Sequence, residues 1–161
     1  MTIAASFDTD AVYEYGAAMG REFWNKGANT QLGPGMNTAR VDLNGRNFEY
    51  AAGEDPYLGY KLVQPLIKGI QDQNVIANAK HWVLNSQETF RTQISENANE
   101  RTRFEIYYPP FEGAIEADVG SVMCSYNRID AIHSCENAPT LKRDLKERLN
   151  FKGWVMSDWV F

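Results

Sequence analysis

The sequence predicts an α/β fold built around a sheet of parallel strands. Helix-like and strand-like segments alternate along the 161 residues, at a spacing of roughly 30 to 45 residues that is typical of βα units. Three of the strand-like segments end in polar residues, as strands do at the active-site edge of such folds. The pattern by itself fits a doubly wound sheet as well as a closed barrel, and it contains no solenoid repeat.

The elements follow from periodicity and from turn residues. The predicted strands are residues 30–32, 75–82, 120–126 and 153–157. The predicted helices are residues 8–26, 56–70, 102–117 and 140–149, the third of them interrupted near Pro109 and Pro110. In the second helix, for example, Leu58, Leu62, Leu66 and Ile70 recur at a spacing of four and so lie on one face. Residues 36–53 and 84–99 have no apolar period, and we expect them to form long loops.

Composition excludes several classes of partner. The chain is 43% hydrophobic and 23% charged, as is typical of a globular protein, and its formal net charge is −5. A negative chain without clustered Lys and Arg is not expected to bind nucleic acid. No run of about 18 apolar residues is present, so we expect no membrane-spanning helix. The opening residues do not resemble a secretion signal.

Both ends of the sequence suggest part of a longer domain. The first predicted helix begins within the first ten residues, with no strand before it to pack against. The chain closes on an apolar, strand-like run over residues 155–161 with nothing after it. We therefore expect residues 1–161 to be one partial domain, truncated at both ends.

The cysteines and histidines do not form a recognisable metal site. Cys124 and Cys135 are eleven positions apart, and the histidines are His81 and His133. No known zinc-ligand spacing fits these four residues, so neither a metal nor another cofactor is predicted. Two interpretations of the cysteines stay open: a short-loop disulfide, which would indicate an oxidising compartment, or a pair of free thiols.

Polar groups at the ends of three strands form the candidate site. Lys80 and His81 end the second predicted strand, Tyr126 ends the third, and Asp158 and Trp159 follow the fourth. In a barrel of parallel strands the carboxyl ends of all strands face one common mouth, where the active site lies. We therefore expect a cation, an imidazole, a phenol and a carboxylate to converge there.

Each candidate also has an ordinary structural interpretation. Lys80 fits a lysine that extends along the strand end to solvent, and His81 fits a hydrogen-bonded core histidine. Tyr126 fits a ring packed at the rim, and Asp158 fits the N-cap of a following helix. Arg46, between Gly45 and Asn47, fits a solvated loop residue. These interpretations weaken together, because all of them would require coincidental placement.

The residue types suit a sugar substrate. Lys and Arg donate hydrogen bonds to hydroxyls, His donates and accepts, and the face of Trp159 fits a pyranose ring. A carboxylate beside such donors stays ionised and can attack an anomeric carbon. No Gly-x-Ser-x-Gly elbow and no phosphate-binding glycine loop is present to suggest another chemistry.

At these residues the sequence resembles glycoside hydrolase family 3, the β-glucosidase-type enzymes. The matching segments run through the whole chain in order: QLGP (31–34), GRNFE (45–49), EDP (54–56), IKGIQ (67–71), AKHW (79–82), NSQETFR (85–91), VMCSYN (122–127) and GWVMSDW (153–159). The last segment is moderately specific by itself, whereas the ordered series is very specific.

The resemblance implies a fold and a set of roles. The fold would be an incomplete (β/α)8 TIM-like barrel with parallel strands, since a complete one needs about 250 residues. Asp158 would be the nucleophile of a retaining double displacement on a β-linked glucoside or oligosaccharide. The residues that would contact the sugar are Arg46, Lys80, His81, Met123, Tyr126 and Trp159. The family's acid/base carboxylate would lie in a later domain, so the 161 residues alone would be inactive.

Other functions stay open at this point. A β-xylosidase or exo-glucanase of the same family would differ only in subsite shape, and a sugar-binding protein would retain the barrel without the acid/base. A doubly wound domain without an active site would place Asp158, Lys80 and Tyr126 apart. For the full-length protein we expect a secreted or extracellular location.

Overall fold

The computed structural model describes residues 2–159 and contains a four-stranded parallel sheet. The strands, in chain order, are β1 (Thr30–Gln31), β2 (Ile76–Trp82), β3 (Ser121–Cys124), β4 (Arg128–Ile129), β5 (Ile132–His133) and β6 (Trp154–Ser157). The parallel strands lie in the order β1-β2-β3-β6, and β4 pairs with β5 in a separate antiparallel hairpin. The predicted α/β fold is thereby confirmed, and within the described residues β1 and β6 form the two edges of an incomplete barrel.

Helical segments connect the parallel strands, as parallel pairing requires. The α-helices are α1 (Thr9–Asn25), α2 (Pro56–Gln71), α3 (Glu100–Thr102) and α4 (Pro109–Glu116). Two segments have the wider π-helical turn, Arg103–Tyr107 and Pro139–Arg148. Asp8 caps α1 by accepting from two backbone N–H groups, and Asp55 caps α2 in the same way. The predicted interruption near Pro109 is present, at the junction between the first π-helical segment and α4.

Close packing of the helices and the sheet gives the site a rigid support. Helices α1 and α2 touch backbone to backbone, since a Cβ atom at Gly16 or Gly69 would collide with the main chain of the other helix. At the carboxyl end of β2, the fully buried Trp82 stacks on Tyr108 with a centroid distance of 4.5 Å. The Trp82 indole N–H also donates to the carbonyl of Thr140 at 3.2 Å. The end of β2, where Lys80 and His81 lie, is therefore held from two directions.

The predicted loop at residues 36–53 is tied to the sheet at both of its ends. The Met36 N–H donates to the Lys80 carbonyl at 2.9 Å, and the Ala51 N–H donates to the Gly35 carbonyl at 2.9 Å. A short 3-10 turn, Asn47–Glu49, lies within the loop. The loop thus returns to the end of β2, and Arg46 stands immediately before the turn.

A disulfide joins Cys124 at the end of β3 to Cys135 in the 3-10 turn Ser134–Glu136. This answers the question that the sequence leaves open between a disulfide and free thiols. The bond spans a separation of eleven residues and encloses the segment that carries Tyr126 and the β4–β5 hairpin.

The structure can be compared with two further predictions, the apolar run at the end of the chain and the lack of a membrane-spanning helix. The apolar run predicted over 155–161 includes residues 160 and 161, which lie outside the described residues. Within 2–159, no helix is both long and apolar enough to cross a membrane.

Candidate functional site

Three neighbouring strands deliver the predicted polar side chains to one edge of the sheet. In the sheet register Lys80 pairs with Met123, and Met123 pairs with Met156. The residues that follow these positions on β2, β3 and β6 therefore emerge at the same carboxyl edge. His81, Tyr126 and Asp158 are brought together there, as the sequence predicts. A doubly wound domain with these residues scattered is inconsistent with this arrangement.

Asp158 lies at the centre of the site and is only 5% exposed. Its Oδ2 atom is 3.4 Å from Nε2 of His81, and its carboxylate accepts a hydrogen bond from the Tyr126 hydroxyl. Oδ1 accepts from the backbone N–H of Trp159 at 3.1 Å. Burial raises the pKa of the Asp158 carboxyl, and the hydrogen bond from Tyr126 and the cation of Arg46 offset only part of that effect.

His81 is buried and neutral. Burial, reinforced by the nearby cations Arg46 and Lys80, lowers the pKa of His81 to about 2. Asn37 fixes the His81 main chain on both sides: its Oδ1 accepts from the His81 N–H at 2.8 Å, and its Nδ2 donates to the His81 carbonyl at 2.9 Å. The imidazole Nδ1 is buried without a hydrogen bond within the described part of the chain. A neutral imidazole has one donor and one acceptor nitrogen, and the tautomer decides which of the two is Nδ1.

Two cations share one carboxylate beside His81. Glu49 accepts from Nε of Arg46 at 2.6 Å and lies 3.6 Å from Nζ of Lys80. Nη2 of Arg46 is 3.4 Å from Nε2 of His81. Burial opposes the charge on Arg46, but the hydrogen bond and the negative charge of Glu49 outweigh it, so the pKa of the guanidinium is raised. Arg46 is thus a fixed hydrogen-bond donor in the site, not a solvated loop residue.

Tyr126 contacts a carboxylate through its hydroxyl and a cation through one face of its ring. Its hydroxyl donates to Asp158, while the guanidinium of Arg91 lies 4.0 Å from its ring centroid. Burial, followed by the charge of Asp158, raises the pKa of the Tyr126 phenol, so the hydroxyl retains the proton that it donates. Arg91 in turn forms an ion pair with Glu88 at 2.6 Å.

The two remaining predicted residues differ in exposure. Met123 is buried in the middle of β3, between Lys80 and Met156 in the sheet register. Trp159 follows Asp158 directly and is 56% exposed, so much of its indole surface faces solvent at the mouth of the site. The stacking of Trp159 on a sugar stays a prediction.

Four contributors to the site were not assigned a role from the sequence: Asn37, Glu49, Glu88 and Arg91. The last two lie in the NSQETFR segment at a spacing of three, which is a common spacing for an ion pair, and Glu49 stands in the same relation to Arg46. This spacing is the signal that could have identified the three charged residues. Nothing local marks Asn37, because its partner His81 is 44 positions away.

A cavity of about 600 Å³ opens beside β1 and shares only Lys80 and Glu49 with this site. Its other lining residues come from residues 2–6, from α1, from β1 and the turn after it, from the loop 36–53 and from α2, among them Tyr15, Gln31 and Leu66. We therefore place the functional site at Asp158 and not in this cavity. No cluster of three or more His, Cys, Asp or Glu suitable for a metal ion occurs within residues 2–159.

The arrangement is suited to chemistry at a polar, uncharged ligand. A single buried carboxylate faces a phenol and a neutral imidazole, with fixed cations behind them. Such donors can hold hydroxyl groups while the carboxylate approaches an electrophilic carbon.

The chain is similar to several β-glucosidases. It is 45% identical to the protein named probable beta-glucosidase A of Aspergillus oryzae over 175 residues, covering 99% of this chain and 20% of that protein. It is 43% identical over 173 residues to beta-glucosidase 1 of Aspergillus aculeatus, again covering 99% and 20%. The chain therefore spans about a fifth of the length of these relatives.

Solved structures give the same result for the fold. The β-glucosidase of Streptomyces venezuelae in complex with D-glucose superposes with a TM-score of 0.95 at 38% identity, covering 98% of this chain and 20% of that one. Beta-glucosidase 3B of Thermotoga neapolitana in complex with glucose gives a TM-score of 0.94 at 40% identity, covering 98% and 22%. The model of the glycosyl hydrolase family 3 N terminal domain matches residues 1–161, and the chain belongs to that family.

Proposed function

We propose that the full-length protein hydrolyses terminal β-D-glucosyl residues with retention of configuration, using Asp158 as its nucleophile. One observation carries the proposal: Asp158 is a buried carboxylate that accepts from Tyr126 and lies 3.4 Å from a neutral His81. The similarity to proteins named as β-glucosidases supports glucose as the glycone.

In the proposed first step a carboxylate oxygen of Asp158 attacks the anomeric carbon. The bond between that carbon and the leaving oxygen breaks, and a general acid protonates the leaving oxygen. In the second step water attacks the same carbon, the acid residue now accepts the proton of the water, and Asp158 departs as a carboxylate. The configuration at the anomeric carbon is inverted twice and so is retained.

The remaining site residues bind the sugar in this proposal. Arg46 and Lys80 donate to hydroxyls, and His81 engages a further hydroxyl through its ring. Trp159 offers an exposed apolar face next to the nucleophile, and Met123 completes the same side of the subsite from β3. Contacts of this kind tighten as the oxocarbenium-like transition state forms, and they therefore accelerate the chemical step.

We also propose that the general acid is supplied by residues outside these 161. The two other carboxylates near the site, Glu49 and Glu88, each have their oxygens directed at cations or amides. We therefore expect the 161 residues by themselves not to turn over a glucoside.

The disulfide is informative about the compartment in which the full-length protein resides. Disulfides persist in oxidising compartments and are rare in the cytosol. The Cys124–Cys135 bond therefore favours a secreted or extracellular full-length protein.

The test is covalent labelling of the full-length protein. An activated 2-deoxy-2-fluoro-β-glucoside slows the second step, so a retaining enzyme accumulates the glycosylated nucleophile. We expect mass spectrometry of the digested protein to place the label on the peptide that contains Asp158, and we expect Asp158→Asn to remain unlabelled. The 2-fluoro-β-xyloside is the control for the glycone. A label on a different carboxylate, or no label on a folded protein, would overturn the assignment.

A further inference from the structure

Arg91 and Glu88 form a fixed ion pair directly behind Tyr126. Nη1 of Arg91 is 2.6 Å from Oε2 of Glu88, and the Arg91 guanidinium lies 4.0 Å from the centroid of the Tyr126 ring. The guanidinium of Arg91 thus stacks on one face of the Tyr126 ring, while the Tyr126 hydroxyl is directed at Asp158. Arg91 therefore contacts the residue that holds the carboxylate.

Glu88 is itself held in place by three contacts. Its Oε1 accepts from the amide of Asn85 at 3.2 Å and lies 3.8 Å from Nη1 of Arg46. Its backbone N–H donates to the carbonyl of Asn44 at 3.1 Å. Glu88 thereby joins the loop 84–99 to the loop that carries Arg46, and the direction of the Arg91 guanidinium is fixed by a residue that cannot move freely.

We infer that Arg91, anchored by Glu88, is a positioning residue for catalysis: it fixes the Tyr126 ring so that the Tyr126 hydroxyl holds the Asp158 carboxylate in the orientation required for attack. The inference rests on the proposed function, in which Asp158 is the nucleophile. Neither Arg91 nor Glu88 needs to touch the substrate for this role.

The position of Tyr126 explains why such support is needed. Tyr126 lies two residues beyond Cys124, the last residue of β3, where the regular ladder of the sheet has ended. A phenol ring free to rotate about its χ1 and χ2 angles would make the hydrogen bond to Asp158 only part of the time. A cation over the ring face favours one ring plane. The contact is partly shielded from water, since the tyrosine is 9% exposed and the Arg91 side chain 36% exposed.

Besides stacking on Tyr126, Arg91 also favours the ionised form of Asp158 through its charge. The groups that face Asp158 are Tyr126 from the loop after β3, His81 from β2, Arg46 from the loop 36–53 and, one layer further out, Arg91. Arg46 and Arg91 each lower the pKa of the Asp158 carboxyl against the larger effect of burial. Loss of the Arg91 charge therefore raises that pKa, and the carboxylate becomes protonated at a higher pH.

The first experiment measures kcat/KM against pH for the full-length protein with Arg91→Met, which retains most of the side-chain volume without the charge. We expect kcat/KM to fall by about 100-fold, the size of effect that a misplaced catalytic group produces. We also expect the acidic limb of the profile to move to higher pH. The matched control is Arg101→Met, since the Arg101 side chain is 82% exposed and pairs with Glu105, which is not a residue of the site.

A double-mutant cycle separates positioning from a general structural effect. In a Tyr126→Phe background the hydroxyl that Arg91 is inferred to direct is absent, so Arg91→Met should reduce kcat/KM much less than in the wild type. Arg91→Lys restores the charge without the planar guanidinium, and it should recover the acidic limb but only part of kcat/KM. Equal losses in the two backgrounds would overturn the inference.

A crystal structure of the Arg91→Met protein tests the same inference without turnover. We expect the Tyr126 ring to turn away and its hydrogen bond to Asp158 to lengthen beyond about 3.5 Å. An unmoved Tyr126 and Asp158 would overturn the positioning role even if the wild type were an active glucosidase. If the wild type proved inactive, the proposed function would fail, and the crystal structure would still decide whether Arg91 positions Tyr126.

Discussion

Nε2 of His81 lies 3.4 Å from Oδ2 of Asp158, and both side chains are almost completely buried. Because burial lowers the pKa of His81 to about 2, the contact joins a neutral imidazole to a carboxylate and is not an ion pair. His81 thus adds no positive charge beside Asp158, and the carboxylate is stabilised instead by the Tyr126 hydroxyl and by the charges of Arg46 and Arg91. The dependence of stability on pH should therefore report a neutral imidazole at His81 and a carboxyl of raised pKa at Asp158.

The first prediction concerns the stability of the fold in acid. The unfolded chain protonates His81 below its ordinary pKa of 6.5, whereas the folded chain does so only near pH 2. The free energy of unfolding therefore decreases as the pH falls from about 6.5 toward 2. Replacing His81 with Asn removes this contribution, so the melting temperature of the full-length variant should fall less between pH 7 and pH 4.5 than that of the wild type.

The variant is expected to fold because Asn37 holds position 81 through main-chain atoms only. His133→Asn is the matched control, since His133 is the chain's other histidine and stands in the β4–β5 hairpin. Parallel pH dependences for wild type and His81→Asn would contradict a buried neutral imidazole.

The second prediction separates catalysis from stability at Asp158. Asp158→Asn should lower kcat by at least about 10⁴-fold in the full-length protein, as the loss of a nucleophile does in other covalent enzymes. The same change should raise the melting temperature at pH 7 or leave it unchanged, because the site raises the pKa of Asp158 and therefore disfavours its charge. The gain should diminish as the pH falls and the wild-type carboxyl is protonated. A large drop in melting temperature at neutral pH would show that the carboxylate stabilises the fold.

Much of the fold could be predicted because its signals are local. The spacing of four in Leu58, Leu62, Leu66 and Ile70 predicts the helix that is observed as α2 (Pro56–Gln71), and the apolar runs predict the strands. The predicted third strand, residues 120–126, proved too long, because the sheet pairing ends at Cys124. Beyond that point the chain turns into the disulfide-bonded segment, and apolar periodicity carries no information about this turn.

The site could be predicted only in part. The polar residues at the strand ends predicted that His81, Tyr126 and Asp158 would converge, and the three side chains do lie together, while their roles stay predictions. The residues that hold them were missed. The ion pairs Arg46–Glu49 and Glu88–Arg91 have a local signal in their spacing of three, but the contacts that bring the supporting residues to the site have none. Asn37 contacts a residue 44 positions away, and Arg91 stacks on Tyr126 across two loops. Such contacts are decided by how the loops fold over the sheet, which no local pattern encodes.

The third prediction concerns the carboxylate shared by two cations. Glu49→Gln should remove the negative charge that Arg46 and Lys80 share, so that both cations are held less firmly and Arg46 retains only its longer ion-pair contact with Glu88 at 3.8 Å. A charged hydrogen bond contributes about 1.5 to 3 kcal/mol, so we expect kcat/KM to fall roughly 10- to 100-fold. Because the two cations are proposed to bind the sugar, KM for an aryl β-glucoside and the inhibition constant for glucose should both rise.

The control for that change is Glu22→Gln, on the exposed face of α1. It removes the same charge from the protein without touching the site, so its kinetic constants should equal those of the wild type. Unchanged glucose inhibition in the Glu49→Gln protein would mean that Arg46 and Lys80 are held by other contacts.

The last prediction concerns the disulfide between Cys124 and Cys135, which encloses the segment carrying Tyr126. A bond that closes a loop of this length stabilises a protein by about 2 to 4 kcal/mol, mainly by restricting the unfolded chain. Replacing both cysteines with Ala should therefore lower the melting temperature of the full-length protein. Activity should also fall at temperatures well below unfolding, because Tyr126 lies two residues beyond Cys124 and depends on this segment for its position.

Retained Arg91 stacking would limit that loss of activity, so Arg91→Met combined with the double Ala variant should reduce kcat/KM by more than the product of the separate effects. Simple multiplication of the two losses would show that the disulfide and Arg91 fix Tyr126 independently.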